Sequence, residues 1–288
     1  MELVNLITKD GVKLNGFLYK SNTNTKTVLL SVHGMASNCL RTKEVTIGNK
    51  TIENGFDYYC FNNRGSEIAR YAKRELNGKK EKLLVGTAFE DPLDGYHDIV
   101  AAISKMVELG YESIYLQGHS LGCTKILYTY NRLKKEESEL IKYIKGIVLL
   151  SLIDIIGVIK FVDEEKYKYY LNWAEEKEKQ GELLGLIPPE AFIHRMSVKT
   201  FLRYMRDYED INIDDYNIVK TINIPLFMRW GTKNEAIKYQ PDDLVEMVKS
   251  KIPHENKDIG YIQGANHSYN GYENELAEQI IEFIKKYQ

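Results

Sequence analysis

The chain has 288 residues, 43% of them hydrophobic, which is enough for one large core carrying an insertion. The formal net charge is −2 and the 28% of charged residues mix both signs, so the basic excess of a nucleic-acid binder is missing. Cys39, Cys60 and Cys123 form no disulfide framework or metal spacing, MELVNLITKDG is no signal peptide, and no apolar run nears the roughly 20 residues of a membrane helix. The expectation is a cytoplasmic protein with no nucleic-acid or membrane partner, no metal and no cofactor; nothing in the sequence speaks to its oligomeric state.

Residues 12–19 alternate apolar and polar, as a half-buried strand does, and can pair with residues 3–7 across the turn Lys9-Asp10-Gly11. Short continuous apolar runs follow at 27–32, 58–61, 114–117, 147–151 and 226–230, with another near 259–262. Gly, Asn or Pro bounds them, and longer helix-like segments follow at about 40–53, 93–108, 120–134, 241–251 and 272–286. Strands apolar on both faces imply an α/β protein, a mostly parallel sheet covered by helices. The interval 155–220 breaks the rhythm with a charged stretch at 163–180, then Leu183-Leu184-Gly185-Leu186-Ile187-Pro188-Pro189, then aromatic and basic residues at 201–208. A long insertion of this kind is a solvated helical excursion, a lid, or both. The expected division is a core of 1–154 and 221–288 with a helical cap at 155–220.

Gly118-His119-Ser120-Leu121-Gly122 fits G-x-S-x-G, between the apolar run 114–116 and a helix bearing Ile126, Leu127 and Tyr130. In that context the pattern describes a tight, strained strand-to-helix turn that lifts a serine hydroxyl above the sheet. A side chain at either flanking glycine would collide with neighbouring backbone. Ser120 is the expected nucleophile. The general base is expected on the last loop, about 150 residues later, where Gly264-Ala265-Asn266-His267-Ser268 offers His267. The loop after 27–32, His33-Gly34-Met35, is expected to supply the Met35 N–H to an oxyanion hole shared with the Leu121 N–H. Gly34 permits close approach to substrate, and His119 lies beside the reacting serine.

The third member of the triad stays open. The loop Gly231-Thr232-Lys233-Asn234-Glu235 carries Asn234 where an aspartate normally sits. Asn234 can orient the histidine without charge, Glu235 can reach in, or Asp154 can supply a carboxylate from the loop after 147–151. Replacing aspartate by asparagine in a serine triad costs about 10⁴ in rate.

Together these pieces resemble the DUF1749-like branch of the α/β-hydrolases, which includes fungal siderophore esterases. The matching segments are His33-Gly34, Phe61-Asn62-Asn63-Arg64-Gly65, Gly86-Thr87-Ala88-Phe89-Glu90, Asp98-Ile99, the Ser120 turn with Lys125, and Gly264 to Tyr269. They span most of the chain outside the insertion, and Asn-Asn-Arg-Gly is the most distinctive. The resemblance implies an α/β-hydrolase fold and hydrolysis of a small-molecule ester through an acyl-enzyme at Ser120, with His267 as base. Asn234 departs from the aspartate of such relatives. Arg64 follows a strand end, where it can bind a substrate carboxylate or brace a loop through Glu90. The alternatives are amide cleavage or acyl transfer by the same serine, and a silent binding protein on a hydrolase scaffold.

Overall fold

Apolar side chains on both faces of a strand have to be covered twice, and the chain does this with one sheet between two helical layers. The computed structural model describes every residue except 208–212 and 214. Tyr208, at the end of the aromatic and basic stretch, lies outside the described residues.

The strands are β1 (Glu2–Leu3), β2 (Leu6–Ile7), β3 (Lys13–Leu14), β4 (Gly16–Tyr19), β5 (Thr27–Val32) and β6 (Asp57–Phe61), then β7 (Arg70–Leu76), β8 (Lys79–Val85), β9 (Ser113–His119), β10 (Ile144–Leu150), β11 (Leu226–Gly231) and β12 (Lys257–Ile262). The helices are α1 (Thr42–Glu53), α2 (Gly95–Glu108), α3 (Leu121–Lys135), α4 (Ile155–Lys179), α5 (Val198–Met205), α6 (Pro241–Lys251) and α7 (Glu273–Tyr287). The main sheet runs β1-β4-β6-β5-β9-β10-β11-β12. From β6 to β12 every pairing is parallel, and β4 is antiparallel to β6.

Alternation along β5 shows how the layers form. Val28, Leu30 and Val32 join a core with Ile99 and Ile103 of α2 and Ile126 of α3, while Leu29 joins a second core with Ile47 of α1 and Ile280 of α7. The strand order reverses between β5 and β9. At such a switch point the loops leaving the carboxyl ends diverge and open a crevice. The loops carrying Gly34 and Ser120 leave from these two strands.

Two details depart from the sequence expectation. The run 12–19 is not one strand: β3 pairs with β2 in a small separate sheet, and β4 pairs with β1 and β6. An unforeseen hairpin, β7–β8, turns at Asn77-Gly78 with both residues at positive φ (51° and 77°). Asn-Gly is a strong signal for that turn.

Between β10 and β11 the chain forms a third apolar cluster, in which Ala174 of α4 and Phe201 and Met205 of α5 pack with Leu121 of α3. α4 breaks at Asp163 (φ −161°, ψ 92°), whose carboxylate accepts the Lys166 N–H at 2.8 Å and caps the second half. Ile213, Tyr216 and Val219 pack into the first core rather than this third cluster. Among the described residues no helix is long and apolar enough to cross a membrane.

Candidate active site

Ser120 follows β9 with φ 54° and ψ −123°, a backbone conformation strained for any residue with a side chain. The flanking glycines allow it. A Cβ on Gly118 would stand 2.6 Å from the Cys123 nitrogen, and one on Gly122 would stand 2.2 Å from the Val32 carbonyl oxygen. The turn is therefore wedged between α3 and β5. A Cβ on Gly34 would meet the Ser120 Cβ at 3.1 Å, so the loop after β5 runs directly beside the serine. Neither the Met35 nor the Leu121 N–H donates to a protein acceptor among the described residues, whereas the Ser120 N–H is used on Leu150 O at 2.8 Å. Two free N–H groups beside a serine hydroxyl are the elements of an oxyanion hole.

His267 sits on the loop after β12, and three contacts tie that loop to the one carrying Asn234. The Lys233 N–H donates to Ala265 O at 2.9 Å, and the Gly264 N–H donates to Thr232 Oγ1 at 2.8 Å. Gly231 packs so closely that a Cβ there would lie 2.2 Å from Ala265 O. These contacts bring Asn234 Oδ1 to 3.0 Å from His267 Nδ1. The same Oδ1 accepts the Ala236 N–H at 3.0 Å, which only an oxygen can do, so the orientation of the amide is fixed. His267 Nδ1 must then carry the hydrogen, and Nε2 keeps its lone pair. An amide N–H presented to the ring is excluded by the same backbone hydrogen bond. Asn234 is 6% exposed, and its Nδ2 is buried without a partner.

Glu235 reaches the same loop, with its Oε2 accepting the His267 backbone N–H at 3.4 Å. Burial lowers the His267 pKa from its usual 6.5 to about 4; the Glu235 charge pulls it upward and Lys43 pushes it further down. Asp154 is elsewhere. Its carboxylate caps α4 through the Gly157 N–H at 3.0 Å and lies 3.4 Å from Lys238 Nζ.

Three residues that hold the histidine loop were not singled out for that role in the sequence. The His267 carbonyl accepts hydrogen bonds from His119 Nε2 and from Ser151 Oγ, each at 2.9 Å. Ser151 Oγ also lies 2.9 Å from the Tyr269 hydroxyl, whose hydrogen goes to Arg229 O. His119, expected at the substrate, lines the cavity but spends its polar edge on this brace, and burial holds its pKa well below the usual value. No spacing rule marks Ser151. Tyr269 stands within the quoted histidine motif, but nothing in its pattern suggests a hydroxyl anchored to β11.

Arg64 requires a correction. It is 2% exposed and does not line the cavity. Its Nη2 meets Asp98 Oδ1 at 2.8 Å, Nη1 lies 3.1 Å from Asp10 and 3.2 Å from Asp94, and its backbone N–H also binds Asp98. Burial alone would raise the Asp10 carboxyl pKa, but the Arg64 hydrogen bonds hold it at about 2. With its donors engaged, Arg64 has nothing left for a substrate. Nor does it pair with Glu90, which takes Lys125 Nζ at 2.6 Å and the Tyr204 hydroxyl at 3.0 Å, joining α3 to α5.

Ser120, His267, Gly34, Met35, Leu121 and Glu235 all line one cavity of about 1030 Å³, whose other wall comes from α4, α5 and the loop between them. No protein-family model matches the chain, and no curated protein matches it in sequence. Solved structures do match over the full length. Est1E from Butyrivibrio proteoclasticus with ferulic acid bound is 19% identical, covers 99% of this chain and 98% of its own, and has a TM-score of 0.67. Mouse alpha/beta hydrolase domain-containing protein 10 is 15% identical over 100% of both chains, with a TM-score of 0.64. The Pyrococcus furiosus esterase Pf2001 is 16% identical over 99% and 92%, with a TM-score of 0.60. The sheet order, the reversal between β5 and β9 and this likeness together show that the chain has the α/β-hydrolase fold.

Proposed function

We propose that this protein is a serine hydrolase that cleaves carboxylic esters through an acyl-enzyme on Ser120. The observation that carries the reading is the fixed amide of Asn234. It leaves His267 Nε2 unprotonated in a cavity that also exposes a serine on a strained turn and two free N–H groups.

In this reading Ser120 Oγ attacks the ester carbonyl carbon while its proton passes to His267 Nε2. The carbonyl oxygen, now negative, is held by the Met35 and Leu121 N–H groups. The tetrahedral intermediate collapses, the carbon–oxygen bond to the alcohol breaks, and the imidazolium proton goes to the departing alcohol oxygen. Water then attacks the acyl carbon, gives its proton to Nε2, and the Ser120 oxygen leaves with that proton as the acid is released. Asn234 orients the ring, and Glu235 supplies the negative charge near the imidazolium. Within 155–220, α4, α5 and the loop between them act as a cap that bounds the substrate cavity. The motifs around Arg64 and Lys125 favour the DUF1749-like branch, and esterases among the structural neighbours favour ester over amide substrates.

One observation favours a second reading, a silent binding protein: the residue facing His267 Nδ1 is uncharged. Turnover separates the two. With p-nitrophenyl butyrate, the wild type hydrolyses the ester, and Ser120→Ala or His267→Ala lowers kcat/KM by at least about 10³-fold. A wild-type rate retained in Ser120→Ala contradicts the serine mechanism.

A further inference from the structure

The cavity that holds Ser120 has two unlike walls. On α4, Ile155, Val158, Ile159 and Val162 line it, and their spacing of 3, 1 and 3 residues is one helix face. Phe201 and Met205 of α5 extend this wall. The side chains of Met35 and Leu121 belong to the same apolar cluster. The apolar wall therefore begins at the two N–H groups assigned to the oxyanion and continues away from them. It reaches solvent at Val162 and Ile193, 75% and 84% exposed, where Asp163, Lys166, Glu190 and His194 make the outer end of the lining polar.

The opposite wall is polar. The first turn of α1 contributes Thr42, Lys43 and Glu44, and the loops around the base contribute Glu235, Ser268 and Asn270. Lys43 Nζ bonds Glu44 Oε1 at 2.7 Å, and the pair is buried. Glu44 Oε2 is buried with no partner, so this wall holds an unused acceptor. The two charges of that pair offset each other, which favours neutral hydrogen-bonding groups over a second anion.

Chemistry orients the substrate between these walls. In the proposed reaction His267 returns its proton to the leaving alcohol, so the alcohol half lies on the histidine side and the acyl half lies away from it. The histidine side is the polar wall. Resting on the serine-hydrolase reading, we infer that the substrate is an amphiphilic ester: an aliphatic acyl chain of medium or greater length along α4 and α5, joined to an alcohol that bears further hydroxyl groups. Because the acyl wall opens to solvent, chain length has no sharp upper limit within the soluble range.

The test compares p-nitrophenyl acetate, butyrate, hexanoate and octanoate, then ethyl octanoate against 1-octanoylglycerol. Burying even part of six added methylenes raises kcat/KM at least about 30-fold from acetate to octanoate. The glyceryl ester exceeds the ethyl ester at least about fivefold. Ile159→Trp fills the acyl wall and lowers the octanoate-to-acetate ratio at least about tenfold. Val162→Glu, at an exposed position that tolerates change, lowers the same ratio and keeps the test open if the tryptophan variant does not fold. Hydrolysis with equal kcat/KM for all acyl lengths, or with the ethyl ester preferred, overturns the inference and leaves the serine mechanism standing. No hydrolysis of any ester, with Ser120 unreactive towards a fluorophosphonate, overturns the mechanism beneath it.

Discussion

Asn234 is where a single side chain decides the most. Its Oδ1 is fixed by the Ala236 N–H and faces His267 Nδ1, but it brings no charge to the ring. In the proposed reading the consequence is a weakly basic histidine in a fixed tautomer. Because only neutral His267 can accept the serine proton, the acid limb of kcat/KM should fall near the free-enzyme pKa, about 4. Asn234→Asp places a carboxylate against Nδ1, removes the orphaned Nδ2 and favours the charged imidazolium. It should raise kcat by at least about 10-fold and move the acid limb to higher pH, since a higher pKa keeps the inactive protonated form populated further up the scale. A pH–rate profile of both proteins checks this, and an acid limb that does not move contradicts it. The sequence showed that the aspartate was missing and left three candidates open, Asn234, Glu235 and Asp154. It could not order them, because the choice depends on a backbone N–H two residues away and on loop contacts that only folding makes.

At the scale of elements, the motifs were legible wherever their meaning is local. The nucleophile turn follows from two glycines and a strand-to-helix change, and Gly118 and Gly122 are each jammed against backbone as that geometry demands. Runs apolar on both faces gave the buried parallel strands for the same reason. Arg64 was not legible, because its role is set by charges from two distant segments. Asp10 arrives from the β2–β3 turn, Asp94 from just before α2 and Asp98 from α2 itself. An arginine at a strand end can be read as a brace or as a ligand contact until those partners are known. Removing one partner of a buried charge leaves the other uncompensated. Asp98→Ala should therefore destabilise the protein by about 3 kcal/mol, measured as a lower urea midpoint. An unchanged midpoint would mean that Asp10 and Asp94 suffice to hold the guanidinium.

For the molecule as a whole, the fold was more legible than the cavity. Period and turn chemistry repeat along the chain and report the sheet, whereas the walls of the cavity meet only in three dimensions: the first turn of α1, a face of α4 and the loops after β11 and β12. The braces beneath His267 illustrate the same limit, since His119 and Ser151 both reach a carbonyl more than 100 residues away in sequence. In the proposed reading these long-range meetings activate one serine out of the whole chain. Intact-mass analysis and peptide mapping after treatment with a fluorophosphonate test it most directly. A single adduct is expected on Ser120, absent from Ser120→Ala and formed much more slowly in His267→Ala. Equal modification of the wild type and Ser120→Ala would contradict it.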